Sequence, residues 1–142
     1  PNPMPDHLRD KALIVYKDTR GRTRACKSSW DGSYVKAESR EFGKYYVTTD
    51  NTPPRIKPYN IVNGKNMAKN TTITVSISDN LSGIKSYDGY VDGQWILMKY
   101  DQKSGRLRYY FDERVGRGKH EFKLVVSDAC NNTRTFTANF IR

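Results

Sequence analysis

The chain has 142 residues, 36% of them hydrophobic, and 25 Lys and Arg against 15 Asp and Glu give it a net charge of +10. This length allows one domain, or one domain and part of another, to bury a core, so the composition does not force disorder. No apolar run reaches the roughly 18 to 20 residues that a membrane-spanning helix needs. No segment resembles a signal peptide, and Pro1 in place of an initiating Met predicts that the true start has been removed.

Short runs of alternating polar and β-branched or aromatic residues dominate the chain, and helical periodicity is nearly absent. The sequence therefore predicts an all-β fold. In the first part of the chain we predict four strands, at 12–17, 23–27, 33–38 and 43–49. Four short strands make a thin sheet, and we expect residues 1–50 to be the terminal strands of a partial β-domain.

Two consecutive prolines, Pro53 and Pro54, mark the clearest boundary, because proline donates no ladder hydrogen bond and favours extended backbone. We predict a proline-containing linker at 51–58. Asp92-Gly93 is the strongest hairpin signal beyond it. The strands predicted after the linker are 71–78, 84–91, 94–100, 106–112, 120–127 and 133–141. Their roughly 8- to 12-residue spacing predicts an immunoglobulin-like β-sandwich over 59–142, with an isolated barrel as the competing architecture.

Alternating parity within these strands predicts which side chains face the core of the sandwich. The predicted core residues are Ile73, Val75, Ile77, Ile84, Trp95, Leu97, Leu107, Tyr109, Phe111, Phe122, Leu124, Val126, Phe136 and Phe140. Because Trp95 lies within an alternating run, we place it in the centre of the core rather than on an exposed ligand platform.

Several short motifs follow one another in a recognisable order. They are Phe42-Gly43-Lys44-Tyr45-Tyr46-Val47, Asp50-Asn51-Thr52-Pro53-Pro54-Arg55-Ile56, Ser78-Asp79-Asn80-Leu81-Ser82-Gly83-Ile84, Val91-Asp92-Gly93-Gln94-Trp95, Gly118-Lys119-His120-Glu121-Phe122 and Val126-Ser127-Asp128-Ala129-Cys130-Asn131-Asn132-Thr133. In this order they resemble the immunoglobulin-like C-terminal region of secreted Bacteroidetes proteins, notably those with an N-terminal peptidase of the M23 (lysostaphin-like) family. Residues 53–142 are the closer part of the resemblance.

The resemblance implies an extracytoplasmic location, in the periplasm or on the cell surface, and an accessory role beside a cell-wall metallopeptidase. Such domains usually have glycine in the final turn, where this chain has Asn131. Asparagine tolerates left-handed backbone better than other non-glycine residues, so we expect the turn to survive the change.

The chain itself is not predicted to be an enzyme. Peptidases of this family bind zinc through H-x-x-x-D and H-x-H elements, and the two histidines, His7 and His120, belong to neither pattern. No G-x-S-x-G, phosphate-loop or Cys-His signature is present either. We therefore predict no catalytic residue, no cofactor and no metal ligand.

Four polar residues in loops beside strands offer an alternative to the absence of metal ligands, namely a calcium site. Asp79, Asn80, Ser82 and Asp128 offer clustered oxygens of the kind that calcium prefers. The favoured interpretation is turn chemistry, in which such side chains accept hydrogen bonds from nearby backbone amides.

The two cysteines, Cys26 and Cys130, lie far apart in the sequence. A disulfide between them would close a long loop, with a nominal stabilisation of about 4 to 5 kcal/mol. Two unrelated thiols are the favoured alternative, because the two residues fall in different predicted sub-domains.

The positive charge is densest around a predicted hairpin tip at Gly21. Candidate ligand-binding residues there and on the following strands are Arg20, Arg22, Arg24, Lys27, Trp30 and Tyr34. Cationic and aromatic side chains suit anionic glycans or another part of the parent protein. Nucleic acid is not expected as a partner, because the chain has no zinc finger, RNP-like pattern or basic helix. The sequence thus predicts a binding or scaffolding module, with an adhesion-type module that has no attached enzyme as the alternative.

Overall fold

The computed structural model of the protein describes residues 4–142. One short helix, α1 (Asp6–Arg9), precedes the strands. Five strands follow it in the first part of the chain: β1 (Ala12–Lys17), β2 (Thr23–Ala25), β3 (Ser28–Asp31), β4 (Tyr34–Ala37) and β5 (Lys44–Thr49). Nine more complete the chain: β6 (Arg55–Pro58), β7 (Lys65–Asn66), β8 (Thr72–Ser78), β9 (Ile84–Val91), β10 (Gln94–Ile96), β11 (Lys99–Asp101), β12 (Arg106–Tyr110), β13 (Lys119–Asp128) and β14 (Thr133–Ile141).

The first five strands form two small sheets, which we call the N-terminal β-unit (residues 4–50). Strand β1 is central in a three-stranded antiparallel sheet of order β2-β1-β5, and β3 and β4 form a separate hairpin. A run of apolar residues in β1 explains its central place, because β1 is the one strand of this unit that has buried side chains, those of Ala12, Leu13 and Val15.

Strands β6 to β14 form a β-sandwich, which confirms the predicted all-β class. One sheet has the order β10-β9-β13-β14-β7 and the other β11-β12-β8-β6. All pairings are antiparallel except that of β7 with the end of β14. In the part of the chain that is described, α1 is the only helix, and it is far too short to cross a bilayer.

The core between the two sheets contains most of the side chains that alternation predicts. Nine of them are buried: Ile73, Val75, Ile77, Leu107, Tyr109, Phe122, Leu124, Val126 and Phe140. Three more are partly buried against that core: Ile84, Phe111 and Phe136. The core also contains residues that the sequence pattern did not predict: Ile61, Met67, Val91, Ile96, Met98, Val115 and Ala138.

Two core predictions are wrong, because Trp95 is 54% exposed and Leu97 is 61% exposed. The run predicted as one strand at 94–100 is divided between β10 and β11, which lie in opposite sheets. Ile96 and Met98 face the core instead. When the alternation of a strand is assigned one residue out of step, every side chain that was expected in the core faces the opposite side.

The predicted linker at 51–58 is also wrong in its second half. Arg55–Pro58 is strand β6, which pairs with β8 so that Arg55 lies opposite Ser78 and Pro58 opposite Val75. Proline is tolerated because β6 is an edge strand, where one side of the backbone has no neighbour to bond. Residues 51–54 are therefore the irregular connection.

Two turns have the left-handed backbone that the sequence predicts. Asp92 and Gly93, between β9 and β10, have φ of 51° and 78°, as a type I′ hairpin turn requires. Asn131 has φ of 58° between β13 and β14, so asparagine adopts the left-handed backbone that was expected of this turn.

Candidate functional site

The basic hairpin tip, defined by Asp18 to Arg24, is organised by an acidic residue. Asp18 Oδ1 accepts hydrogen bonds from the backbone N–H groups of Arg20 and Arg22, both at 2.9 Å. Arg22 Nε donates to Oδ2 at 2.9 Å, and Arg24 Nε lies 3.5 Å from the same oxygen. The backbone N–H of Arg22 contributes most to lowering the pKa of Asp18, against the opposing effect of desolvation. Asp18 thus shapes the tip and neutralises part of its charge.

The cations predicted to bind a ligand are therefore not equivalent. Arg22 and Arg24 share the carboxylate of Asp18. Within residues 4–142, neither Arg20 nor Lys27 takes part in an ion pair. Both side chains are exposed, so their full charge faces solvent.

Trp30 and Tyr34 lie on the β3–β4 hairpin rather than at the basic tip. The indole N–H of Trp30 donates to the carbonyl oxygen of Arg9 at 2.8 Å. The guanidinium of Arg9 lies 4.5 Å from the Trp30 ring centroid, so it covers one face of the ring. Tyr34 is 58% exposed and is the more accessible aromatic residue of the two.

A second aromatic surface crosses the three-stranded sheet, and sequence reasoning missed its central member. Tyr16 on β1 lies directly opposite Arg24 on β2 and Tyr45 on β5. Directly paired residues present their side chains on one face, and the Tyr16 and Tyr45 rings are stacked with centroids 5.6 Å apart. We call Arg24, Tyr16 and Tyr45 the aromatic row. Alternation along β1 was the signal that could have placed Tyr16 on its outer face.

A broad open cleft of about 870 Å³ lies where the β3–β4 hairpin meets β1. Its lining includes Lys27 and Lys36 as well as the apolar side chains of Ile14 and Val35. Lys27, three residues after the basic hairpin tip, thus contributes a cation to this concave surface of the N-terminal β-unit.

The N-terminal β-unit is joined to the sandwich by buried and partly buried hydrogen bonds. The side-chain amide of Asn132 donates to the carbonyl oxygen of Asp50 at 2.9 Å and to Asp128 Oδ2 at 2.7 Å. Lys11 Nζ donates to the Cys130 carbonyl oxygen at 3.0 Å and to Asn132 Oδ1 at 2.6 Å. We call this contact region the junction. It fixes the position of β5 against the loop between β13 and β14.

A small apolar cluster completes the junction. Leu13 and Val15 from β1 are buried against Cys130, with Ala25 and Leu81 packed beside them. Cys130 and Cys26 are both free thiols. Burial raises the pKa of Cys130, and the neighbouring charges of Asp50 and Asp128 act in the same direction.

Three carboxylates meet beside this cluster. Asp50, Asp79 and Asp128 each place one oxygen within 4.8 Å of those of the other two. Asp50 is 2% exposed and Asp128 is completely buried. Sequence reasoning named Asp79 and Asp128 but assigned Asp50 to the boundary before the prolines. Asn80, which it also named, is exposed.

Turn chemistry accounts for many of the oxygens in this cluster. Asp128 Oδ1 accepts from the backbone N–H groups of Cys130 and Asn132, at 2.8 and 2.9 Å. Asp79 Oδ2 accepts from those of Leu81 and Gly83, at 3.1 and 2.8 Å. The favoured sequence interpretation is therefore present in the structure, although it does not occupy every oxygen.

His120 uses both of its ring nitrogens within the fold. Nδ1 lies 2.7 Å from Asp92 Oδ2, and Nε2 lies 2.9 Å from the carbonyl oxygen of Gly116. Its ring also packs at 5.4 Å from that of Phe140. These contacts give His120 a structural role near the start of β13. The other histidine, His7, is exposed on α1.

Neither the models of known protein families nor the curated protein sequences include a match to this chain.

Proposed function

We propose that the chain is a non-catalytic binding and scaffolding module of an exported, envelope-associated protein, and that its sandwich is immunoglobulin-like. The strand orders support the second part: β11-β12-β8-β6 has the D-E-B-A arrangement of an immunoglobulin-like domain, and β10-β9-β13-β14 has its C′-C-F-G arrangement. We further propose that the parent protein is a cell-wall metallopeptidase, on the motif order described above.

The observation that carries the binding proposal is the aromatic row beside the basic hairpin tip. Tyrosine faces stack on sugar rings, and cations attract the anionic groups of cell-wall polymers. The stacked pair of Tyr16 and Tyr45 and the free charge of Arg20 lie on one small β-unit. The proposed partner is therefore cell-wall glycan.

The junction supports the scaffolding part of the proposal. Its hydrogen bonds from Asn132 and Lys11 connect the N-terminal β-unit to the sandwich at named atoms, with an apolar cluster behind them. Buried hydrogen bonds of this kind specify one arrangement of two elements, because each alternative leaves polar groups unpaired. A glycan-binding surface held in this way is presented at a fixed orientation to the rest of the parent protein.

The binding proposal is tested by co-sedimentation of the purified chain with peptidoglycan sacculi at low and high salt. A triple variant, Arg20→Ala, Arg22→Ala and Arg24→Ala, removes the charge of the tip. A matched control, Lys69→Ala, Lys103→Ala and Arg117→Ala, removes three exposed charges from the sandwich. We expect salt-sensitive pelleting of the wild type and of the control, and loss of pelleting in the tip variant.

Two results would contradict the proposal in different ways. If the wild type does not pellet at any salt concentration, wall binding is wrong and a spacer or intramolecular scaffold is the better description. If both triple variants lose pelleting equally, binding depends on net charge alone and the hairpin tip is not the site.

The proposed parent enzyme is tested by the sequence of the complete gene product. Zinc elements of the form H-x-x-x-D and H-x-H upstream of this chain would support a metallopeptidase. An adhesion-type protein without an attached enzyme is the alternative that their absence would favour.

A further inference from the structure

The carboxylates of Asp50, Asp79 and Asp128 are unusual in their burial as well as in their proximity. Two of them are almost inaccessible to solvent, and one oxygen from each lies within 4.8 Å of the others. Charges of one sign repel strongly when they are removed from water. A cluster of this kind is stabilised by a compensating positive charge.

The protein itself does not supply that positive charge by direct contact. No ion pair within residues 4–142 includes any of the three carboxylates. The ammonium group of Lys11 lies at the junction, but it donates to the Cys130 carbonyl oxygen and to Asn132 Oδ1.

A second observation points to a ligand rather than to turn chemistry. Asp79 Oδ1 is completely buried and has no hydrogen-bond partner, although Oδ2 of the same carboxylate accepts two. The loop that follows Asp79 also contacts the cluster, because the backbone N–H of Ser82 donates to Asp50 Oδ2 at 3.0 Å. Buried polar atoms in folded proteins are nearly always satisfied, so such atoms commonly mark the place of a missing ion or water.

We propose that Asp50, Asp79 and Asp128 bind a calcium ion at the junction, with Asp79 Oδ1 as one of its ligands. Calcium takes oxygen ligands at about 2.3 to 2.6 Å, so two ligands of one ion lie no more than about 5 Å apart. The oxygens of this cluster, all within 4.8 Å of one another, meet that limit. The chemistry of the set favours calcium over zinc, because all three donors are carboxylates.

The position of the ion gives it a structural role. Asp50 directly follows β5 of the N-terminal β-unit, whereas Asp79 directly follows β8 and Asp128 ends β13 in the sandwich. An ion bound by all three would connect the two parts of the chain at the junction. This inference is independent of the proposed glycan binding, because it concerns a different group of residues.

The test compares the thermal stability of the full chain in EDTA and in about 10 mM CaCl₂, above the roughly 0.1 to 1 mM dissociation constants of extracellular calcium modules. Isothermal titration with CaCl₂ gives the affinity directly. The key variant is Asp79→Asn, because an amide oxygen can still accept the bonds from Leu81 and Gly83. The matched control is Asp101→Asn, which changes an exposed turn carboxylate that accepts similar bonds.

We expect the ranking of melting temperatures between the wild type and Asp79→Asn to reverse between EDTA and calcium. In EDTA the variant should be the more stable, because it removes one of three repelling charges. In calcium the wild type should be the more stable, and the variant should bind calcium at least about tenfold more weakly. The Asp101→Asn protein should respond to calcium as the wild type does.

Three results would overturn the calcium site. One is a wild-type melting temperature that is the same in EDTA and calcium, a result that decides the matter even if Asp79→Asn does not fold. Another is a variant that is more stable than the wild type in both buffers, which is the behaviour of a cluster of repelling charges that binds no calcium. The third is an equal response to MgCl₂, which would exclude specificity for calcium.

Discussion

Gly89 lies where two core side chains approach the backbone of β9. A Cβ atom at this position would lie 2.6 Å from Met98 Sδ and 3.2 Å from Ile96 Cγ1. Both neighbours are buried, so even the flexible Met98 side chain would have to shift within a packed core. We expect Gly89→Ala to lower the free energy of unfolding by about 1 to 3 kcal/mol, as overpacking does. Urea denaturation measures the change.

A glycine without neighbours is the control for this prediction. A Cβ atom at Gly116 would meet nothing within 4 Å, and its φ is not in the left-handed region. Gly116→Ala should therefore leave the midpoint of unfolding nearly unchanged. Equal effects of the two substitutions would show that the packing at Gly89 is not the cause.

Asp92 gives the protein a defined response to acid. Although desolvation acts to raise it, hydrogen bonds from His120 and from the backbone N–H of Glu121 lower the pKa of Asp92. A carboxyl group with a lowered pKa stabilises the fold above its unfolded value of about 3.9, and this contribution is lost as the pH falls through the folded pKa.

The matching substitution is Asp92→Asn, since asparagine also accepts the left-handed backbone found here. The difference in unfolding free energy between wild type and variant should be constant near pH 5 and should shrink between pH 4 and pH 2. Asp92 is half exposed, so we expect the pH-dependent part to be no more than about 1 kcal/mol. Urea denaturation across this pH range measures it, and a difference that grows on acidification would contradict the assignment.

At the scale of elements, the junction depends on Asn132 in the β13–β14 loop. Its side chain donates to Asp50 and Asp128 and accepts from Lys11. Because Asn132→Ala leaves buried partners without hydrogen bonds, we expect it to cost about 2 kcal/mol or more of stability in EDTA. Asn139→Ala, at an exposed position on β14, should change stability by less than about 0.5 kcal/mol. Urea denaturation of both variants decides whether the junction contributes as described.

The strands of the sandwich were predictable because their alternation is strong. Thr72–Ser78, Ile84–Val91 and Thr133–Ile141 agree with prediction to within a residue, and so does β1. The orientation of the run around Trp95 was predicted wrongly because its odd-numbered and its even-numbered positions both hold apolar residues. Alternation alone therefore does not show which set faces inward. Only the change of sheet after Ile96 decides this, and that change depends on tertiary contacts.

Much of the candidate site depends on contacts across the chain that local patterns do not contain. Asp18 was not recognised as the partner of Arg22 and Arg24, although their close spacing was visible in the sequence. The cluster of Asp50, Asp79 and Asp128 consists of residues that lie far apart in the chain. Such a group follows from topology rather than from any motif.

At the scale of the whole molecule, the N-terminal β-unit lacks an independent core. Its two largest buried apolar side chains, Leu13 and Val15, pack against Cys130 and Leu81 of the sandwich. Unfolding of the sandwich should therefore unfold this unit as well, whereas the reverse need not hold. The two tryptophans provide a separate probe for each part, since Trp30 lies in the N-terminal β-unit and Trp95 in the sandwich.

Single-tryptophan variants, Trp30→Phe and Trp95→Phe, allow each part to be followed by fluorescence during urea unfolding. We expect the midpoint reported by Trp30 to be equal to or lower than that reported by Trp95. A Trp30 transition at higher urea than the Trp95 transition would show that the N-terminal β-unit is stable without the sandwich. Far-ultraviolet circular dichroism of both variants controls for any change caused by the substitutions themselves.

The edges of the sandwich have a consequence for how copies of the protein behave beside one another. Its four edge strands are β10, β7, β11 and β6, which have three, two, three and four residues, and β6 ends in Pro58. Long unpaired edges recruit strands from neighbouring molecules, and short or proline-containing edges do not. These short strands cover only part of their neighbours, because β7 pairs with β14 only at Phe140 and Ile141, and β10 pairs with β9 only from Gly89 to Val91. Lateral β-pairing between crowded copies would therefore begin at the uncovered parts of β14 and β9 rather than at the four short edge strands.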